Sequence, residues 1–213
     1  MELDHQTKQT LAEVSALLVA HPIETPRLLL RPFREGDLAD LYEYLSQKEQ
    51  RRLSGNVPVE SLEDARQVLA WFMHPASPAI YFAVVLKGEN KVIGNFTVNP
   101  CPYQDRDERL RGLCGVTLSY ILNEKYWRQG IMTELLRAVY PFLFEQAGLD
   151  YIQSGYFDFN EASAALQRKL GMRLWTEDEF EYEGQRIRTK EMILFREEYQ
   201  NTGEHRGRFS VFF

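Results

Sequence analysis

The chain has 213 residues, of which 44% are hydrophobic, 26% charged and 13% aromatic; that suffices for one well-buried domain and excludes the composition of a disordered segment. Its 25 basic and 31 acidic residues leave a net charge of −6, so no nucleic-acid partner is expected from charge alone. No apolar run approaches the ~20 residues of a membrane span, and two cysteines, Cys101 and Cys114, cannot make a disulfide framework, so the expectation is a cytoplasmic protein away from the membrane.

In chain order, residues 1–22 read as an amphipathic helical leader, with Leu11, Val14, Leu17 and Leu18 at helical spacing until His21-Pro22 breaks it. Residues 28–31 are an apolar run stopped by Pro32, an opening strand. Residues 37–47 are helical through Leu38, Leu41, Tyr42 and Leu45, and Ser61 with Asp64 three residues on is a capping box for a second helix reaching Phe72. Residues 51–56 between them read as a loop. The period then changes to two: residues 80–87 and 91–99 flank a Gly88-Glu89-Asn90 turn, a hairpin. A charged loop at residues 104–111 leads to a strand at 115–122, a long helix at 130–146, a strand at 151–159 and a short helix at 160–170 ending on Gly171. Residues 173–183 and 185–196 close the domain as a hairpin. Strands and helices in this order predict an α/β (α+β) domain over residues 23–199 with a mixed sheet. Residues 200–213 form a tail ending Phe209-Ser210-Val211-Phe212-Phe213, which either packs on its own domain or adds to a neighbour's sheet edge in a homodimer.

Chemistry concentrates where the strand containing Leu118, Ser119, Tyr120, Ile121 and Leu122 runs through Trp127, Arg128, Gln129 and Gly130 into the helix starting Ile131-Met132-Thr133-Glu134. Such a junction aims unpaired N–H groups and a positive helix end at one point, an anion site fit for a phosphate or pyrophosphate; a glycine needed only for a tight turn is the plainer alternative. Asn160 and Ser163 open the later helix, where Asn160 is also a good cap residue. Glu134 in a first helical turn is favoured by the helix dipole and reads as structural. The four histidines show no metal-ligand spacing, and no metal is expected. Neither cysteine has a histidine pattern beside it, and both read as small core hydrophobes.

The ordered set Thr25-Pro26-Arg27-Leu28-Leu29-Leu30-Arg31, Val92-Ile93-Gly94, Tyr126-Trp127-Arg128-Gln129-Gly130-Ile131-Met132-Thr133-Glu134, Asn160-Glu161-Ala162-Ser163 and Lys169-Leu170-Gly171-Met172 resembles the GNAT N-acetyltransferase superfamily, in particular its RimJ/RimL-like branch of ribosomal-protein-alanine N-acetyltransferases. The resemblance spans residues 24–199. Against the superfamily's phosphate loop, Q/R-x-x-G-x-G/A, Trp127 stands at the Gln/Arg position and Met132 at the Gly/Ala position, and Arg128 stands where branch members often have glycine. The resemblance implies a mixed, mostly antiparallel sheet of about seven strands flanked by helices, and direct acetyl transfer from acetyl-CoA to a primary amine, a protein N-terminus or a small molecule. It implies that backbone N–H groups from Gln129 to Thr133, with Trp127 and Arg128, hold the pyrophosphate. The strand residues Leu118, Tyr120, Ile121 and Leu122 pair with pantetheine, and Asn160 and Ser163 supply the thiolate's proton and further contacts. Asp158, Tyr120 and Glu161 are the base candidates, with Ser119 in a water relay. The region of Tyr42, Tyr44, Trp71 and Phe72 borders the acceptor, which residues 51–56 select. A non-catalytic acyl-CoA-binding or interaction module on the same fold is the alternative.

Overall fold

A computed structural model of the chain describes residues 5–101, 107–182 and 184–201. Strands β1 (Ile23–Glu24), β2 (Leu28–Pro32), β3 (Ile80–Leu86), β4 (Lys91–Pro100), β5 (Gly115–Leu122), β6 (Tyr151–Phe157), β7 (Arg173–Tyr182) and β8 (Gln185–Phe195) form one sheet in the order β1-β2-β3-β4-β5-β6-β8-β7. Every adjacent pair is antiparallel except β5–β6. That parallel pair needs a long crossover, and α5 (Ile131–Pro141), continued by a π-helical turn at Phe142–Gln146, provides it. The mixed, mostly antiparallel sheet expected from the sequence is therefore present, with eight strands rather than about seven. The added β1 has two residues, too few to show a period of two.

Alternation along the strands sorts the core onto two faces. One face carries Leu28, Leu30, Phe96, Val116, Leu118 and Ile152, covered by α5, by α1 (His5–Ala20) through Leu11, Val14 and Leu18, and by α6 (Glu161–Lys169) through Ala164. The other carries Ala83, Val85 and Val92, covered by α2 (Leu38–Leu45) and α4 (Leu62–Phe72) through Leu41, Tyr44, Ala65 and Leu69. α4 starts as its sequence demands: Ser61 Oγ accepts from the Asp64 N–H and the Asp64 carboxylate accepts from the Ser61 N–H.

One expectation fails. Residues 51–56 are not a loop; most of them belong to α3 (Lys48–Ser54), which Gly55 ends at φ +69°. A Cβ at Gly55 would stand 2.6 Å from the Phe157 ring, so both the backbone angle and the approach of β6 require glycine there. The segment Lys48-Glu49-Gln50-Arg51-Arg52-Leu53-Ser54 has one apolar residue and no helical period. Its helix is held from outside: Glu124 Oε1 accepts from the Gln50 N–H at 2.9 Å, Gln47 Oε1 accepts from the Glu124 N–H at 2.9 Å, and Gln47 Nε2 donates to Asn123 Oδ1 at 2.9 Å. The described residues close with α7 (Arg196–Asn201). The apolar tail at residues 209–213, and the dimer contact expected of it, lie outside the described residues.

Candidate active site

The parallel pair β5–β6 is hydrogen-bonded only over Gly115↔Tyr151, Val116↔Ile152 and Thr117↔Gln153. Beyond that point each strand stays with its other neighbour, β5 with β4 as far as Leu122 and β6 with β8 as far as Phe157. The two strands therefore part, and residues 118–122 present on that side a strand edge with no strand beside it among the described residues. A cleft of about 1470 Å³ opens at the gap, lined on one side by Tyr120, Gly130, Thr133 and Ser163 and on the other by Asn95, Trp71 and Glu191. An open edge offers N–H and C=O groups to an extended amide-bearing chain, as a further strand would.

At the mouth of the gap, β5 turns into α5. Arg128 and Gly130 both take positive φ, +58° and +73°, so the backbone coils tightly and aims successive N–H groups the same way. The first bond within α5 is Glu134 N–H to Gly130 O at 2.9 Å, which leaves the N–H groups of Ile131, Met132 and Thr133 without a helical partner. The side chain of Met132 is buried in the core, so it leaves this cradle of amides open, and Trp127 Nε1 is engaged 2.7 Å from Leu122 O. Arg128 is exposed and lines the cleft. The donor set suits a pyrophosphate: amides in series at a positive helix end, with a guanidinium alongside.

Glu134 fastens this turn. Its carboxylate accepts from Thr25 Oγ1 at 2.5 Å, Arg27 Nε at 2.6 Å and the Arg27 N–H at 3.1 Å, while Arg27 also donates to Gln129 O at 3.0 Å. Burial works to raise the Glu134 pKa, but the donors Thr25 and Arg27 outweigh it and hold the carboxyl below its ordinary value. The structural role expected of Glu134 follows from these bonds. Arg27 as its partner could not be found by spacing, because the two residues are far apart in the chain.

Across the gap, Asn160 caps α6: its Oδ1 accepts from the Ser163 N–H at 3.1 Å, and its Nδ2 donates to Leu53 O at 3.0 Å, tying α6 to the end of α3. Ser163 Oγ lies 3.3 Å from the Tyr120 hydroxyl and accepts from Gln167 Nε2 at 3.0 Å. Burial raises the Tyr120 pKa against the bonds it shares with Ser163, Gln167 and Ser154, which favours the protonated phenol.

The structure thus brings Tyr120, Ile121, Leu122, Trp127, Arg128, Gly130, Ile131, Met132, Thr133, Asn160 and Ser163 to one cleft, together with Ser119 and Glu161. Three predicted residues stand apart. Leu118 turns its side chain into the core, Gln129 is exposed with its Nε2 on Lys125 O, and Asp158 is exposed outside the cleft lining. Asp158 follows the end of β6, where the chain turns outward towards α6. Glu191 went unnoticed in the sequence because nothing local distinguishes it within a charged hairpin. Among the described residues no group of three or more His, Cys, Asp or Glu could hold a metal, and no helix is long and apolar enough to cross a membrane.

Comparison with known proteins agrees with this fold. The family model of the acetyltransferase (GNAT) domain matches residues 27–173. An uncharacterised N-acetyltransferase of Bacillus subtilis (strain 168), YoaA, is 25% identical over 153 residues, 71% of this chain and 82% of that protein. A spermidine N-acetyltransferase from Vibrio cholerae, solved in complex with CoA and spermine, superposes with a TM-score of 0.67 at 17% identity, covering 83% of this chain and 100% of that one. A ribosomal-protein-S5-alanine acetyltransferase from Vibrio fischeri does so with a TM-score of 0.62 at 21% identity, covering 84% and 98%.

Proposed function

The chain belongs to the GNAT acetyltransferase family and is an acyl-CoA N-acyltransferase, and from that premise we propose that it transfers acetyl from acetyl-CoA to a primary amine by direct attack. The observation that carries this reading is the parting of β5 from β6 beside the first turn of α5. It sets an open strand edge, a cradle of backbone amides and a protonated phenol around one gap. The amides of residues 129–133 hold the pyrophosphate, the free edge of residues 118–122 pairs with the pantetheine arm, and an N–H on that edge polarises the thioester carbonyl as charge develops there. Tyr120, with Ser163 beside it, protonates the departing thiolate. The acceptor is a protein N-terminus, as in the RimJ/RimL-like branch, or a small amine; relatives of both kinds share the fold, and fold alone does not choose between them. A chain with two cysteines in all suits a cytoplasmic enzyme.

Thermal unfolding with and without acetyl-CoA tests the reading. At a hundred times its dissociation constant the ligand should stabilise wild type by roughly 2.7 kcal/mol, and Gly130→Trp should abolish the shift while leaving the unliganded protein folded. Release of free thiol on adding an amine separates an enzyme from a non-catalytic acyl-CoA binder. A wild type with no shift would refute the cradle.

A further inference from the structure

Glu191 lies on β8 directly opposite Gly155 of β6, and Gly155 is just past Gln153, the last β6 residue paired with β5. The carboxyl occupies the room that glycine leaves: a Cβ on Gly155 would stand 2.3 Å from Glu191 Oε1. Met192 and Leu194 join the core under α5 and α6, so strand alternation turns Glu191 to the opposite face, the side of α2–α4. Tyr120 and Ser163 meet on the α6 side. The gap in the sheet therefore has a proton donor on one side and a carboxylate on the other.

Among the described residues the Glu191 side chain makes no hydrogen bond or ion pair, and it is only part-exposed. Two cations of the elements beside the cleft are committed elsewhere. On β8, Lys190 is paired with Glu177 of β7 at 3.4 Å, and on α3, Arg52 is held by Glu49 at 2.8 Å. The charge that acts on it is that of Asp178 on β7, which is of like sign; Glu161 and Lys169 of α6 line the same cleft. A part-buried carboxylate with no counter-charge is costly unless a cation comes to it from outside.

We propose that Glu191 is a catalytic residue on the acceptor side, that it draws a cationic primary amine into the gap from the α2–α4 face, and that it takes the proton the amine must lose. This rests on the acetyl-transfer reading above. Burial and then the like charge of Asp178 hold the Glu191 carboxyl above the usual carboxylate range, which brings its basicity nearer to that of the proton it accepts. The ammonium gives one proton to the Glu191 carboxylate. The freed nitrogen lone pair forms the C–N bond to the acetyl carbonyl carbon, the C–S bond breaks, and its electron pair leaves with sulfur, which is protonated by the Tyr120–Ser163 pair. The second amine proton returns to Tyr120 through solvent, and Glu191 releases its own to solvent. The sum is amine plus acetyl-CoA giving acetamide plus CoA thiol.

The test compares wild type, Glu191→Gln and Glu191→Asp with n-butylamine, spermidine and a peptide bearing an N-terminal alanine, alongside the acetyl-CoA thermal shift as a control on folding and cofactor binding. Glu191→Gln should lower kcat/KM for the accepted amine by about 100-fold or more and remove the acid limb of its pH profile, with the acetyl-CoA shift unchanged; Glu191→Asp should recover part of the rate. A Glu191→Gln enzyme within about threefold of wild type, on the scale of such effects, with the same pH profile overturns the assignment and leaves acetyl transfer standing. A wild type that acetylates none of the three amines overturns the acetyl-transfer reading and the assignment with it.

Discussion

Arg128 holds φ at +58°, a region that costs a residue with a Cβ about 1 kcal/mol or more and glycine almost nothing. The resemblance between this loop and others that carry glycine there thus has a backbone cause: the turn that aims the amides needs a left-handed residue at 128, whichever side chain it bears. Arg128→Gly relieves strain but frees the unfolded chain, so its stability should stay within about 1 kcal/mol of wild type. Arg128→Val, β-branched at positive φ, should lose about 1–2 kcal/mol. Thermal denaturation of both checks this; equal losses would point to side-chain packing instead. Asn160 shows the opposite economy. Its amide serves as cap and as a tie to Leu53 O at once, so the cap reading and the site reading describe one residue. Its cap role is legible from Asn160 leading a helix, whereas its bond to Leu53 needed the fold.

At the scale of elements, α3 decides how the acceptor side is walled. It is held at its start by Glu124, in the 3-10 turn Glu124–Tyr126 just before the anion cradle, and at its end by Asn160, the cap of α6. A seven-residue helix is too short to stand by itself, so these ties to both banks of the cleft are what position it. Glu124→Ala removes the acceptor for the Gln50 N–H and should raise KM for the amine several-fold while sparing the acetyl-CoA shift. Glu124→Gln, which keeps an oxygen at that place, should restore KM. Steady-state kinetics with each substrate varied makes the comparison, and a rise in both KM values would mean general unfolding of the wall. Helices read correctly from sequence, α4 and α5 among them, have an apolar stripe of their own; α3 has none, so no period announced it.

Across the whole molecule, polar ties fasten the turns around the gap to the sheet. Tyr126, buried beside the cradle, donates to Glu89 Oε2 of the β3–β4 turn at 2.6 Å. Burial, then the bond to Glu89, pushes its hydroxyl up to about 12 from an ordinary value of 10.0. The folded pKa is the higher one, so this contribution to stability is complete below pH 10 and is lost as pH rises through about 12. Denaturant midpoints measured across that window should fall for wild type and fall less for Tyr126→Phe, which has no proton there to lose; parallel curves would sink the argument. α1 buries Val14 and Leu18 against the same core as α5 and Tyr126, outside the span matched by the family model.

The sequence by itself determined what is local. Period-two runs and their turns mark β3, β4 and β5, a serine and an aspartate three apart start α4, and glycine after basic residues ends one strand and begins α5. Because those signals recur in order, the family and its cofactor chemistry were legible before any contact was known. Tertiary structure alone decided what depends on pairing between distant segments. The register of β5 against β6 stops after Thr117 and Gln153, and no property of either strand states where its partner will leave it. The same holds for Glu191, one acid in a charged hairpin until β8 is laid against β6 and its carboxyl fills the space over Gly155. Helix and strand propensities act over a few residues, whereas a gap in a sheet is set by which backbone groups find partners, and that is fixed only when the chain has closed on itself.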